Sequence, residues 1–252
     1  MTSAGDRRAS RPLVIAYLHG ATLSPPSMYP IARSMAANFP HARHVFLSLP
    51  GHGSAENRLI PSFDLESLVE DALEGLRAQV EDLSEVRLAL VGESTGALIL
   101  ARLSHRLKQP PAFMVLGEPP MTNGETMVEV RQELVQSSKE AFVRLREDLF
   151  GFHDQSQRNF HNHFLSLPCT TVLAYGLLRT SGEGFITSII RADDIEQLHD
   201  APRLITIGFQ GRGHRVLQSQ ASHLASMVKG MMLGDPELVA NHSLLLKPQV
   251  PF

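Results

Sequence analysis

Cysteine is almost absent from this chain: a single residue, Cys169, stands among 252. An intrachain disulfide is excluded, so the fold must be held by its core. Cys169 adjoins the apolar run Thr170–Tyr175 and reads as a small core residue, not a reactive thiol. Long apolar runs are missing too. The longest reach six to eight residues, too short to span a bilayer as a helix. Met1–Arg11 is polar and lacks the apolar stretch of a signal peptide, so a cytoplasmic protein is expected. Nor is there a long basic run. With 23 Lys and Arg against 26 Asp and Glu, the net charge is −3, which argues against nucleic acid as the main partner. Histidines are present at His41, His44, His153, His161 and His163, but none has a spacing that matches a zinc site. They read as solvated helix and loop residues, and no metal is expected. No internal repeat or low-complexity segment is visible, and Pro248–Phe252 reads as a loose tail.

What is present fits one globular α/β domain over residues 1–252, with 43% hydrophobic and 19% charged residues. Short apolar strands alternate with helical segments, which favours a parallel sheet. Strands are expected at Leu13–Leu18, Val45–Leu49, Val86–Val91, Ala112–Leu116, Thr170–Tyr175 and Arg203–Ile207. Helices are expected at Ser27–Asn38, Asp64–Val80, Ala97–Leu107 and Val216–Met232, the second behind a cap in Ser62 or Asp64. Only twelve residues precede the first clear strand. Between Met121 and Leu167 the alternation stops, and Met127, Val130, Leu134, Phe142, Leu145, Leu149 and Phe152 fall at helical spacing. That stretch reads as a helical insertion.

The chemistry concentrates at the ends of strands. Gly92-Glu93-Ser94-Thr95-Gly96 closes the run Val86–Val91 and leads into a helix, the G-x-S-x-G pattern of a nucleophile elbow. Its glycines let the chain fold sharply and present the Ser94 hydroxyl at the tip, suited to attack on a carbonyl. Upstream, Leu13–Leu18 ends in His19-Gly20-Ala21-Thr22. A tight turn there would aim the Ala21 N–H at the nucleophile, making an oxyanion hole with the N–H of Thr95. Leu49-Pro50-Gly51-His52-Gly53 is another strand-end turn, and Gly208–His214 is a loop ending in histidine. His19 and His52 belong to these turns and read as supports for loop backbone.

These four motifs, L-H-G, L-P-G-H-G, G-E-S-T-G and G-R-G-H, in this order, resemble the α/β-hydrolase superfamily over roughly residues 11 to 233. The resemblance implies a mostly parallel sheet flanked by helices, in a reduced form without a leading hairpin. It implies Ser94 as nucleophile and His214 as base. It also implies that the insertion at about 121–167 sits over Ser94 as a cap, whose apolar face would favour a substrate with an apolar acyl or alcohol portion. In most relatives an Asp after the penultimate strand orients the histidine, yet Gly176-Leu177-Leu178-Arg179-Thr180 holds no carboxylate. Glu118, directly after the preceding strand, is the expected substitute, because some relatives keep the acid there and the two following prolines stiffen its backbone. Glu183, Asp193 and Asp194 are the alternatives, the last two also reading as a helix N-terminal pair. The expected activity is cleavage of an ester, thioester or related acyl compound without a cofactor. An acyltransferase, or a binding protein with little turnover, is the other reading.

Overall fold

A computed structural model describes residues 11–55, 58–122, 140–151, 158–177 and 188–234. Its centre is a six-stranded sheet built from β1 (Leu13–Leu18), β2 (Arg43–Leu47), β3 (Arg87–Glu93), β4 (Met114–Gly117), β5 (Thr171–Gly176) and β6 (Leu204–Phe209). The order is β2-β1-β3-β4-β5-β6, and every pairing is parallel. All carboxyl ends of the strands therefore open on the same edge. Parallel strands covered on both faces need apolar side chains on both, which is why these strands read as continuous apolar runs.

Alternation along β1 shows the division. Val14, Ala16 and Leu18 enter one core, with Leu68 and Leu76 of α2 (Leu65–Gln79) and Leu98, Leu100 and Leu103 of α3 (Thr95–Ser104). Ile15 and Tyr17 enter the other, with Ile31 and Met35 of α1 (Tyr29–Asn38). That second core also takes residues of α7 (Val216–Ser219) and α8 (Ala221–Leu233). The result is a helix–sheet–helix sandwich. Burying both faces of the sheet supplies the apolar area that one cysteine cannot replace with a cross-link. Cys169 is itself buried, and that burial pushes its thiol up to about 11.

Between β4 and β5, where the insertion is expected, the described residues form α4 (Glu140–Arg144), a wider turn at Leu145–Leu149 and α5 (Asn162–Leu165). Leu145, Leu149, Phe150 and Phe164 pack into the first core, and Thr122 bridges Asn159. Met127, Val130, Leu134, Phe152 and His153 lie outside the described residues. The predicted helix over Val216–Met232 is two helices. Gln220 (φ −119°, ψ 21°) leaves the helical region between α7 and α8, with no glycine or proline to announce it.

Candidate active site

Strand β3 runs straight into α3, and the residue between them is Ser94. Its backbone (φ 54°, ψ −124°) lies in a region that side-chain-bearing residues rarely enter. Such a conformation costs of order 1–3 kcal/mol, and persists only where surrounding structure holds it. The Ser94 N–H donates to the Gly117 carbonyl (2.7 Å), extending the β3–β4 ladder past the strand end. The second motif glycine is forced by close approach. A Cβ on Gly96 would sit 2.4 Å from the Leu18 carbonyl oxygen, so any side chain would drive α3 off β1.

Three of the predicted side chains converge at the carboxyl edge of the sheet. Ser94 Oγ lies 2.9 Å from His214 Nε2. The other ring nitrogen, Nδ1, lies 3.5 Å from Glu118 Oε2. That is half an ångström beyond the contact of about 3 Å expected of an orienting acid, and Nδ1 has no hydrogen-bond partner among the described residues. The reason is visible in the carboxylate's other bonds. Oε1 accepts from the Gly176 N–H (2.5 Å) and the Ser188 hydroxyl (2.6 Å), and Oε2 accepts from the Ile189 N–H (2.8 Å). Three donors hold the carboxylate and set its distance from the ring. All three side chains are buried, Glu118 completely.

The alternatives for the acid fall elsewhere. Asp194, near the start of α6 (Ala192–Gln197), accepts from the Arg191 N–H (2.7 Å) and pairs with His161 Nε2 (2.8 Å). It is a helix-cap carboxylate, as its N-terminal position allows. Asp193 shares that first turn and is exposed. Glu183 lies outside the described residues.

On the opposite side of Ser94 stands the turn after β1. A Cβ on Gly20 would meet Ser94 Cβ at 3.0 Å, so the backbone leading to Ala21 passes directly beside the serine. Thr95 opens α3, and its N–H therefore has no intrahelical acceptor. The turn histidines hold this backbone. His19 Nδ1–H donates to the Gly20 carbonyl (2.8 Å) while Nε2 accepts from the Leu49 N–H (3.3 Å). That pattern requires a neutral ring, and burial lowers the His19 pKa to about 4. His52 lies between the carbonyls of Pro50 (2.8 Å) and Ala21, fixing the peptide that follows Ala21.

Two groups escaped the sequence reading. His161 is buried, not solvated, and its ring lies between Asn159 Oδ1 (2.7 Å) and Asp194. His44, read likewise as solvated, is only partly exposed and takes the Tyr17 hydroxyl on Nδ1 (2.8 Å). Among the described residues no group of three or more His, Cys, Asp and Glu could hold a metal ion. The second group is Glu93, the variable residue of the elbow motif, completely buried beside Ser94. Its sequence signal was a charge at the end of an otherwise apolar strand.

A parallel sheet with a serine elbow, a histidine loop after the last strand and a buried carboxylate between them defines a class. Residues 15–249 match the model of the alpha/beta hydrolase family, and the chain belongs to that family. No curated protein matches the chain. Solved structures match over most of its length. ClbQ from the colibactin NRPS/PKS pathway is 14% identical, with TM-score 0.62 over 90% of this chain and 99% of its own. The thioesterase domain from the curacin biosynthetic pathway is 17% identical, with TM-score 0.61 over 89% and 92%. A thermophilic esterase from Thermogutta terrifontis is 13% identical, with TM-score 0.61 over 89% and 91%. At these identities the likeness establishes the fold and leaves the reaction to the site. No helix among the described residues is long and apolar enough to cross a membrane.

Proposed function

We propose that this protein is a serine hydrolase that cleaves an ester or thioester through an acyl-enzyme on Ser94. The observation that carries the reading is the 2.9 Å contact of Ser94 Oγ with His214 Nε2, backed by Glu118 at 3.5 Å from Nδ1. In the proposed mechanism Ser94 donates its O–H to neutral Nε2 and attacks the substrate carbonyl as the proton moves to the ring. Glu118 faces Nδ1–H, selects the tautomer with Nε2 free, and stabilises the imidazolium that forms. The N–H groups of Ala21 and Thr95 receive the oxyanion. His214 then protonates the leaving alcohol or thiol. Water enters, loses a proton to the same nitrogen and attacks the acyl carbon; the ring returns that proton to Ser94 Oγ as the acyl–oxygen bond breaks and the acid leaves. The binding-protein reading rested on the missing carboxylate after β5; Glu118 supports the catalytic reading in its place.

The insertion serves, in this reading, as a cap. Ala141 abuts Gly51, where an added Cβ would meet the Ala141 Cβ at 2.1 Å, and the Phe142 ring stands 4.8 Å from that of His52. An apolar segment thus lies against the turn that supports Ala21, favouring a substrate with an apolar portion. The test is labelling by a fluorophosphonate, followed by turnover of p-nitrophenyl esters and acyl thioesters of rising chain length. Wild type is expected to label and Ser94→Ala not to, with turnover lowered by about 10⁴-fold or more in the variant. A wild-type protein that neither labels nor turns over any ester or thioester overturns the proposal, as does undiminished turnover in Ser94→Ala.

A further inference from the structure

Glu93 has no part in the steps above, yet it is the residue bonded to the proposed nucleophile. Side chains alternate along β3, so Glu93 shares a face with Ala89 and Val91, which belong to the core beneath α7 and α8. It is fully buried. Oε2 accepts from Gln218 Nε2 (3.2 Å), a residue of α7, the helix that begins just after His214. Oε1 has no hydrogen-bond partner among the described residues. A buried carboxyl with an oxygen left unpaired is costly in its charged form, and such groups are retained where their charge is used.

We infer that Glu93 is a second carboxyl acting on His214, a positioning and charge-tuning residue whose ionised form stabilises the imidazolium formed during acyl transfer. The inference rests on the proposed serine mechanism. His214 and Arg215, from the loop after β6, favour the charge on Glu93, as does the Gln218 bond, while Glu118 at the end of β4 opposes it. His19, just past the end of the neighbouring β1, is neutral above about pH 4 and adds no charge in the range that matters. Burial, the largest influence, outweighs the favourable contacts and raises the Glu93 pKa to about 7. Glu93 is then neutral in mild acid and negative in mild base. Where negative, it adds a counter-charge to the ring that Glu118 already faces, and proton transfer from Ser94 to Nε2 becomes easier.

This makes a prediction that a structural role does not. Gln has the shape of the neutral acid but cannot ionise. The rate of Ser94 phosphonylation by a fluorophosphonate is to be followed from pH 5.5 to 9 in wild type and Glu93→Gln. The two are expected to agree within about twofold at the acid end, where wild-type Glu93 is itself neutral. They should separate to about tenfold above pH 8, one pKa unit of imidazolium stabilisation. A deficit that is constant with pH, or none at any pH, overturns the inference. Should Glu93→Gln fail to fold, Gln218→Leu gives the second measurement. Loss of its hydrogen bond to the carboxylate raises the Glu93 pKa, so the alkaline rise must move to higher pH; an unmoved profile overturns the inference. Failure of wild type to label at any pH would instead strike the serine mechanism itself, and the two failures are distinct.

Discussion

Glu118 stands in a left-handed backbone conformation (φ 48°), one of two such side-chain-bearing residues among those described, and the other is Ser94. Both directly follow the last residue of a strand, at the edge where the site is built. Glu118 is held there from both sides: its N–H donates to the Ala174 carbonyl (2.9 Å), while its carboxylate collects the three donors of Gly176, Ser188 and Ile189. Strain at a backbone so heavily tied is a sign that the side chain must point where it does. The longer Glu side chain lets the strand end stand back from the ring, as a shorter Asp at this position would not. Glu118→Gln tests the role. In either orientation the new amide NH2 faces a backbone N–H, that of Gly176 or of Ile189, so one buried hydrogen bond is lost and the fold must be checked beside the rate. Turnover of a short ester should fall by about 10²–10⁴-fold, because a neutral amide neither enforces the tautomer nor stabilises the imidazolium. Steady-state kcat beside a thermal melt is the measurement; a variant within tenfold of wild type would remove Glu118 from the mechanism.

Elements explain which parts of this arrangement could be read from residues alone. β1 begins and ends where its apolar run does, because a strand buried on both faces leaves no ambiguity. α2 is nearly as legible. Asp64 caps it, accepting from the Ser67 N–H (2.9 Å) and tied by the Ser62 hydroxyl (2.6 Å), and that Ser62 bond leads the contacts holding its carboxyl below the usual range. Asp64→Ala should therefore destabilise the fold by about 1 kcal/mol, seen as a lower urea midpoint with an unchanged slope. α3 begins two residues before the expected Ala97, because the elbow is itself the helix start and Thr95 is its first residue. The break at Gln220 and the contact of His161 with Asp194 were not legible, since each depends on packing between segments distant in sequence. Ser94 and Glu118 stand out in the sequence as candidates because each directly follows a strand, and His214 because it closes the glycine-containing loop after β6. Glu93 was overlooked because the motif leaves its position unspecified, and only the alternation of β3 turns it inward.

At the scale of the whole molecule, the buried titratable groups set how stability responds to pH, and two of them oppose each other. Glu93 releases its proton from pH 4.5 upward in the unfolded chain but only near 7 in the folded one. The folded state binds more protons in that window, so this group's contribution is present below pH 4.5 and is lost as pH rises through about 7. His19 runs the other way: the unfolded chain takes up a proton below 6.5, the folded one only below about 4. Its contribution is present above pH 6.5 and is lost as pH falls through about 4. Each shift corresponds to about 3 kcal/mol, and between pH 4.5 and 6.5 their slopes largely offset. Glu93→Gln removes one slope and leaves the other. Urea unfolding at pH 4.5 and 8 should show the stability difference between wild type and variant changing by about 3 kcal/mol, with the variant gaining relative to wild type as pH rises. Parallel curves for the two proteins would mean that Glu93 ionises alike in the folded and unfolded chains. The same ionisation that is expected to speed acyl transfer is thus the one that weakens the fold: the charge that serves His214 is held in a core that would be more stable without it.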